Sequence, residues 1–117
     1  GGVADTLDSL GYIYLHMGDL ALARTHYDQA LEAYRDIGDP LGEAMALDGL
    51  GETLAAGDET SGAREAWLGA AALMQQLSRH PEADEVRAKL AALDAQPEPR
   101  QSSPAVRLVA ERTARGD

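Results

Sequence analysis

The sequence holds many side chains capable of chemistry, but few of them converge. His16, His26 and His80 are scattered, and no pair stands at a helical ligand spacing with a third ligand nearby. The pattern therefore predicts no metal centre. Ser9, Thr53 and Ser61 have no base in an evident constellation, and no Gly-x-Ser-x-Gly elbow occurs. A Gly-x-x-x-x-Gly-Lys-Ser/Thr phosphate loop is also missing. Cysteine is absent, which removes disulfides and Cys-based zinc sites. These gaps argue against an enzyme and against a bound cofactor. The abundant chemical type is the carboxylate: 20 Asp+Glu stand against 10 Lys+Arg, a formal charge of −10. Such an excess attracts cations and basic partners, and it disfavours nucleic acid and anionic membrane surfaces.

Something must position those acids. The chain has 117 residues, enough for one domain with a modest core. Its apolar residues are mostly Ala and Leu, with one Trp and no Phe. Few β-branched residues and much Ala and Leu favour helix over sheet. No apolar run reaches the roughly 18 to 20 residues of a membrane span. The opening Gly1-Gly2-Val3-Ala4-Asp5 carries no Met and no signal-peptide pattern, so a piece of a larger cytoplasmic protein is expected.

An internal repeat organises the chain. A shift of 40 residues aligns Ala4 with Ala44, Leu7 with Leu47, Asp8 with Asp48, Leu10 with Leu50 and Gly11 with Gly51. It also aligns Ala23 with Ala63, Arg24 with Arg64 and Ala30 with Ala70, while Tyr27 falls on Trp67 and Ile37 on Leu77. Each unit reads as two helices. Leu7, Leu10, Ile13, Tyr14 and Met17 recur at three- and four-residue steps, a helical stripe that stops at Gly18-Asp19. Leu22, Ala23, Tyr27, Ala30, Leu31 and Tyr34 form the second stripe, which Gly38-Asp39-Pro40 ends. The second unit repeats the pattern over 41–56 and 61–77. Its first helix is expected to end a residue early, because Gly57 follows Gly51 more closely than Gly18 follows Gly11. Pro81 then opens a capping helix over 81–93 with Val86, Leu90 and Leu93 on its apolar stripe.

Residues 1–93 therefore form the folded domain, with repeats at about 4–39 and 41–79. Residues 94–117 read as a flexible tail, since Pro97, Pro99 and Pro104 stand among Gln, Ser and Arg. A short helix over 105–115 is possible in it, with Val106, Val109 and Ala110 on one side.

These residues resemble the tetratricopeptide repeat family. Leu7, Leu10-Gly11, Tyr14, Ala23, Tyr27 and Ala30 match its pattern, as do Leu47, Leu50-Gly51, Leu54, Ala63, Trp67 and Ala70. The resemblance implies an all-α, right-handed solenoid fragment of antiparallel helix pairs. Its glycines admit the paired helix, its aromatics fill the space between repeats, and its alanines keep each pair tight. The period of 40 departs from the usual 34. Long repeats with Gly38-Asp39-Pro40, and a closing segment like 80–90, are similar to the C-terminal regions of SARP-type actinobacterial transcriptional activators and related signal-transduction ATPases. That similarity implies an interaction or sensor arm of a bacterial transcriptional regulator.

The resemblance also places a partner groove on the first helices. Counted from Gly11 and Gly51, the groove positions are Asp5, Asp8, Tyr12 and His16, then Met45, Asp48 and Glu52, with Glu85 on the capping helix. Family members that clamp a chaperone's terminal carboxylate use Lys, Asn and Arg there. Asp8, Tyr12, Gly49 and Glu85 stand in those places, so such a clamp is rejected. The expected partner is a basic or amphipathic peptide. The chain's own tail is another candidate, because Arg100, Arg107, Arg112 and Arg115 face only Glu111 between residues 100 and 115. Two alternatives stand beside this one. A homo-oligomer would use Val3, Val86 and Leu93 at the chain ends, and a small-ligand sensor would use Tyr12 and Met45.

Overall fold

The computed structural model describes residues 2–96, and all of its regular structure is helical. In chain order the helices are α1 (Val3–Met17), α2 (Leu20–Ile37), α3 (Pro40–Ala56), α4 (Thr60–Gln76) and α5 (His80–Ala95). Each packs on the next, and α1 also touches α3. The pairs α1–α2 and α3–α4 are the two repeat units, and α5 lies against α4.

Local signals set the helix ends. Asp19 and Asp39 cap α2 and α3, each side chain accepting from the backbone N–H three residues on, Leu22 at 3.1 Å and Gly42 at 2.9 Å. Pro40 fills the first turn of α3, where no N–H is needed. Gly18 (φ 84°) and Gly38 (φ 69°) take the left-handed turn after α1 and α2. The second unit is less well served. Its α3 ends at Ala56, one residue short of the position equivalent to Met17, so Gly57 keeps an ordinary φ of −92°. Asp58 (φ 61°) takes the left-handed turn instead, and Ser78 (φ 59°) takes the one after α4.

Aromatic rings seated on helical glycines hold the layers together. A Cβ on Gly11 would lie 2.9 Å from the Tyr27 ring, and one on Gly51 would lie 2.4 Å from the Trp67 indole. Both glycines therefore admit the aromatic of their own repeat. Tyr27 and Tyr34 also reach the next repeat, where a Cβ on Gly49 or Gly42 would stand 2.3 and 2.2 Å from their rings. Ala23, Ala30, Ala63 and Ala70 are wholly shielded, as close helix pairs require. Arginines bridge units on the outside: Arg24 pairs with Glu59 at 3.3 Å, and Arg64 grips Asp94.

Several expectations need correction. Ile13 and Met17 belong to the α1 stripe by spacing but are exposed, as are Leu22 and Ile37. The α1 helix packs on one side only, against α2 and α3, and a five-residue stripe is wider than that contact. Val86 (1% exposed) and Leu93 (6%) sit in the core, so neither is available to a second copy; Val3 is exposed. The closing helix runs two residues beyond 93, and the Arg64–Asp94 pair ties down that last turn. The tail arginines and the 105–115 segment lie outside the described residues.

Candidate functional site

A cavity of about 500 Å³ opens between α1 and α3, backed by Tyr27 of α2. From α1 it is lined by Asp8, Ser9, Tyr12 and Ile13, and from α3 by Met45, Asp48, Gly49 and Glu52. Five groove positions inferred from the sequence therefore meet in one place: Asp8, Tyr12, Met45, Asp48 and Glu52. They meet because residues four apart on one helix share a face, and α1 and α3 present that face side by side.

Three other positions do not join them. Asp5, one turn before Asp8, accepts a 2.7 Å hydrogen bond from the Tyr34 hydroxyl. His16 is one turn beyond Tyr12 and packs against its ring, with centroids 4.1 Å apart, while its Nδ1 lies 2.9 Å from the Tyr12 carbonyl. It is not part of the cavity wall. Glu85 is exposed on α5, also outside that wall.

The carboxylates of the cavity are not alike. Asp48 is engaged twice within the chain. The Trp67 Nε1–H donates to its Oδ1 at 3.0 Å, and the Lys89 ammonium donates to the same oxygen at 2.8 Å. Lys89 also donates to Glu52 Oε1 at 2.8 Å. Burial alone would lower the Lys89 pKa, but the hydrogen bonds and charges of Asp48 and Glu52 outweigh it and hold the pKa above the ordinary lysine value. The acidic groove is thus partly neutralised by α5.

Asp8 is the contrasting case. Its Oδ1 is shielded from solvent and has no hydrogen-bond partner among the described residues. Burial, with the neighbouring charge of Asp5 second, raises its pKa. Burial also raises the Tyr27 hydroxyl well above the ordinary tyrosine value, and Asp8, Glu52 and Asp48 add to that shift.

Sequence reasoning missed two members of the site. Tyr27 reads from its spacing as a packing residue, yet it also lines the cavity. Lys89 lies on the capping helix off its apolar stripe, and the spacing alone gives it no role. One more shift of 40 would have found it, because Lys89 is the equivalent of Gly49, and Gly49 lies beside Asp8 just as Lys89 lies beside Asp48.

Among the described residues, no group of three or more His, Asp or Glu is arranged to hold a metal ion. None of the described helices is long and apolar enough to cross a membrane. Consecutive antiparallel helix pairs, with rings seated on glycines and a cleft along the first helices, define a helical-repeat scaffold. The tetratricopeptide repeat family model matches residues 2–66, more than half of the chain, and the chain belongs to that family. Repeats of this family generally mediate protein–protein interaction, on a non-catalytic scaffold. No curated protein and no solved structure matched the chain.

Proposed function

We propose that this chain is a docking module of a larger intracellular regulator, and that the α1–α3 cleft receives a basic or amphipathic peptide segment. The cavity itself carries this reading: it combines Asp8, Asp48 and Glu52 with the apolar surfaces of Tyr12, Ile13 and Met45. Acidic groups beside apolar walls suit a segment that offers a cation and an apolar side chain together. The likeness of the long repeats and the closing helix to SARP-type regulators supports a bacterial transcriptional context. The chemistry of the cleft is recognition, with no bond made or broken.

The test is binding of labelled peptide pools, basic-amphipathic against acidic-amphipathic, followed by fluorescence anisotropy. Preference for the basic pool, abolished by Met45→Glu together with Asp8→Arg, is the expected result. Equal binding of both pools would overturn the reading. A second reading, self-association, rests on the exposed Ile13 and Met17 side by side on α1. It predicts a mass that rises with concentration in light scattering and falls back in Ile13→Lys.

A further inference from the structure

We infer that the cavity beside Asp8 is a lysine pocket, which takes the ε-ammonium of a partner peptide's lysine as the counterpart of the chain's own Lys89 one repeat further on. This deepens the docking function proposed above and rests on it.

The inference comes from comparing equivalent positions. In the second unit an ammonium sits between Asp48 and Glu52, at 2.8 Å from each, with the Trp67 indole N–H on Asp48. Stepping back 40 residues converts Asp48, Glu52, Trp67 and Lys89 into Asp8, Tyr12, Tyr27 and Gly49. The carboxylate is kept, but both of its donors are gone. Tyr27 has no ring N–H, and Gly49 has no side chain. The result is an Asp8 Oδ1 that finds no hydrogen bond among the described residues. The Tyr27 ring fills the room a Cβ on Gly49 would need, and the open cavity lies alongside it, between Asp8, Tyr12 and Met45.

The rest of the wall suits an ammonium on an aliphatic stem. Where the second unit has Glu52, the first has Tyr12, whose ring offers a cation–π face. Met45 and Ile13 line the same cavity and supply apolar contact for four methylenes. A cation there also meets the Asp48–Lys89–Glu52 cluster, which keeps one negative charge in excess. The chain itself does not supply the ligand from its tail. Lys89 is its only lysine, and the tail's cations are all arginines. A planar guanidinium favours a two-pronged carboxylate geometry, whereas the pattern already realised at Asp48 and Glu52 is that of a compact ammonium.

The probes are fluorescein-labelled octapeptides with two central lysines in an Ala/Leu background, and the same peptides with arginine or acetyl-lysine at those positions. Binding to the full chain is followed by anisotropy. The lysine peptide is expected to bind best, with at least a tenfold loss on acetylation and about a tenfold loss in Asp8→Asn. Glu85→Gln removes the same charge outside the cavity and is expected to change binding less than twofold. Met45→Lys, which delivers an ammonium to the cavity from within the chain, is expected to block the lysine peptide. Equal losses in Asp8→Asn and Glu85→Gln, or equal binding of lysine and acetyl-lysine peptides, overturn the lysine pocket and leave the docking function standing. Failure of every peptide to bind overturns both.

Discussion

The two helix pairs share one frame and differ in how completely it is filled. In the second, the carboxylate of Asp48 receives an indole N–H and an ammonium, so its charge is matched within the chain. In the first, the carboxylate of Asp8 stands half-buried with neither partner, and burial raises its pKa. The turns show the reverse asymmetry. Glycines take the left-handed positions of the first unit, while Asp58 and Ser78 take those of the second. Each repeat is therefore locally unsatisfied somewhere, the first at its concave face and the second at its turns. A strained turn costs stability alone, whereas an unmatched charge facing a cavity is an opening for a ligand.

The largest expected effect tests the shared frame. Gly51→Ala forces a methyl to within 2.4 Å of the Trp67 indole, against 2.9 Å from the Tyr27 ring for Gly11→Ala. We expect Gly51→Ala to cost about 2–3 kcal/mol in urea denaturation, after the helix-propensity gain of alanine. Gly11→Ala should cost less, about 1 kcal/mol, because a smaller ring movement relieves it. Equal costs would mean that the two seats are equally tight.

Next in size is Lys89→Met, which leaves Asp48 and Glu52 without their ammonium. A partly exposed pair of this kind is worth about 1–2 kcal/mol, well below the value for full burial. The pH dependence carries its own sign. The Lys89 pKa is raised on folding, so its contribution is complete below the ordinary lysine value of 10.5 and is lost as pH rises through the higher folded value. The gap between wild type and Lys89→Met should therefore stay constant through neutral pH and close in strong alkali, as followed by circular dichroism.

Smaller still is the correction of the second unit's turns. Ser78 is the equivalent of Gly38 and has the same left-handed φ. Ser78→Gly should stabilise by about 0.5–1 kcal/mol, and Asp58→Gly by a similar amount. The smallest effect is Asp8→Asn, a gain of up to about 0.5 kcal/mol at neutral pH, with solvent screening of the half-exposed group taken into account. The Asp8 pKa is raised on folding, so its ionised form opposes folding above the folded pKa, and the gain should vanish below the ordinary value of 3.8. Asp48→Asn should destabilise instead, and that opposite sign would sharpen the contrast between the repeats.

Much of the frame was legible in the sequence because each part has a local cause. Gly-then-aromatic pairs, small residues at Ala23, Ala30, Ala63 and Ala70, and the Gly38-Asp39-Pro40 stop all signal within one helix or turn. The early end of α3 followed from the spacing of Gly51 and Gly57 alone. The groove was legible as a set of positions but not as an electrostatic object. Which carboxylate is neutralised depends on Lys89, 41 residues after Asp48, and no local pattern joins the two. The width of the α1 stripe misled for a related reason: helical periodicity says which residues share a face, but only neighbouring helices decide how much of that face is covered. Tyr34 illustrates the same limit. Its spacing implied packing, but its hydrogen bond to Asp5 takes that acid out of the groove.

The Lys89 cluster also governs how the protein behaves toward amine-directed reagents. The chain offers one ε-amino group to an acylating or cross-linking ester, and that amine is held protonated between two carboxylates. Only the free base attacks such esters. Labelling at this lysine should therefore lag well behind that of an unstructured lysyl peptide at the same pH. Mass spectrometry over a time course would measure the lag, and unfolding the chain in urea would remove it.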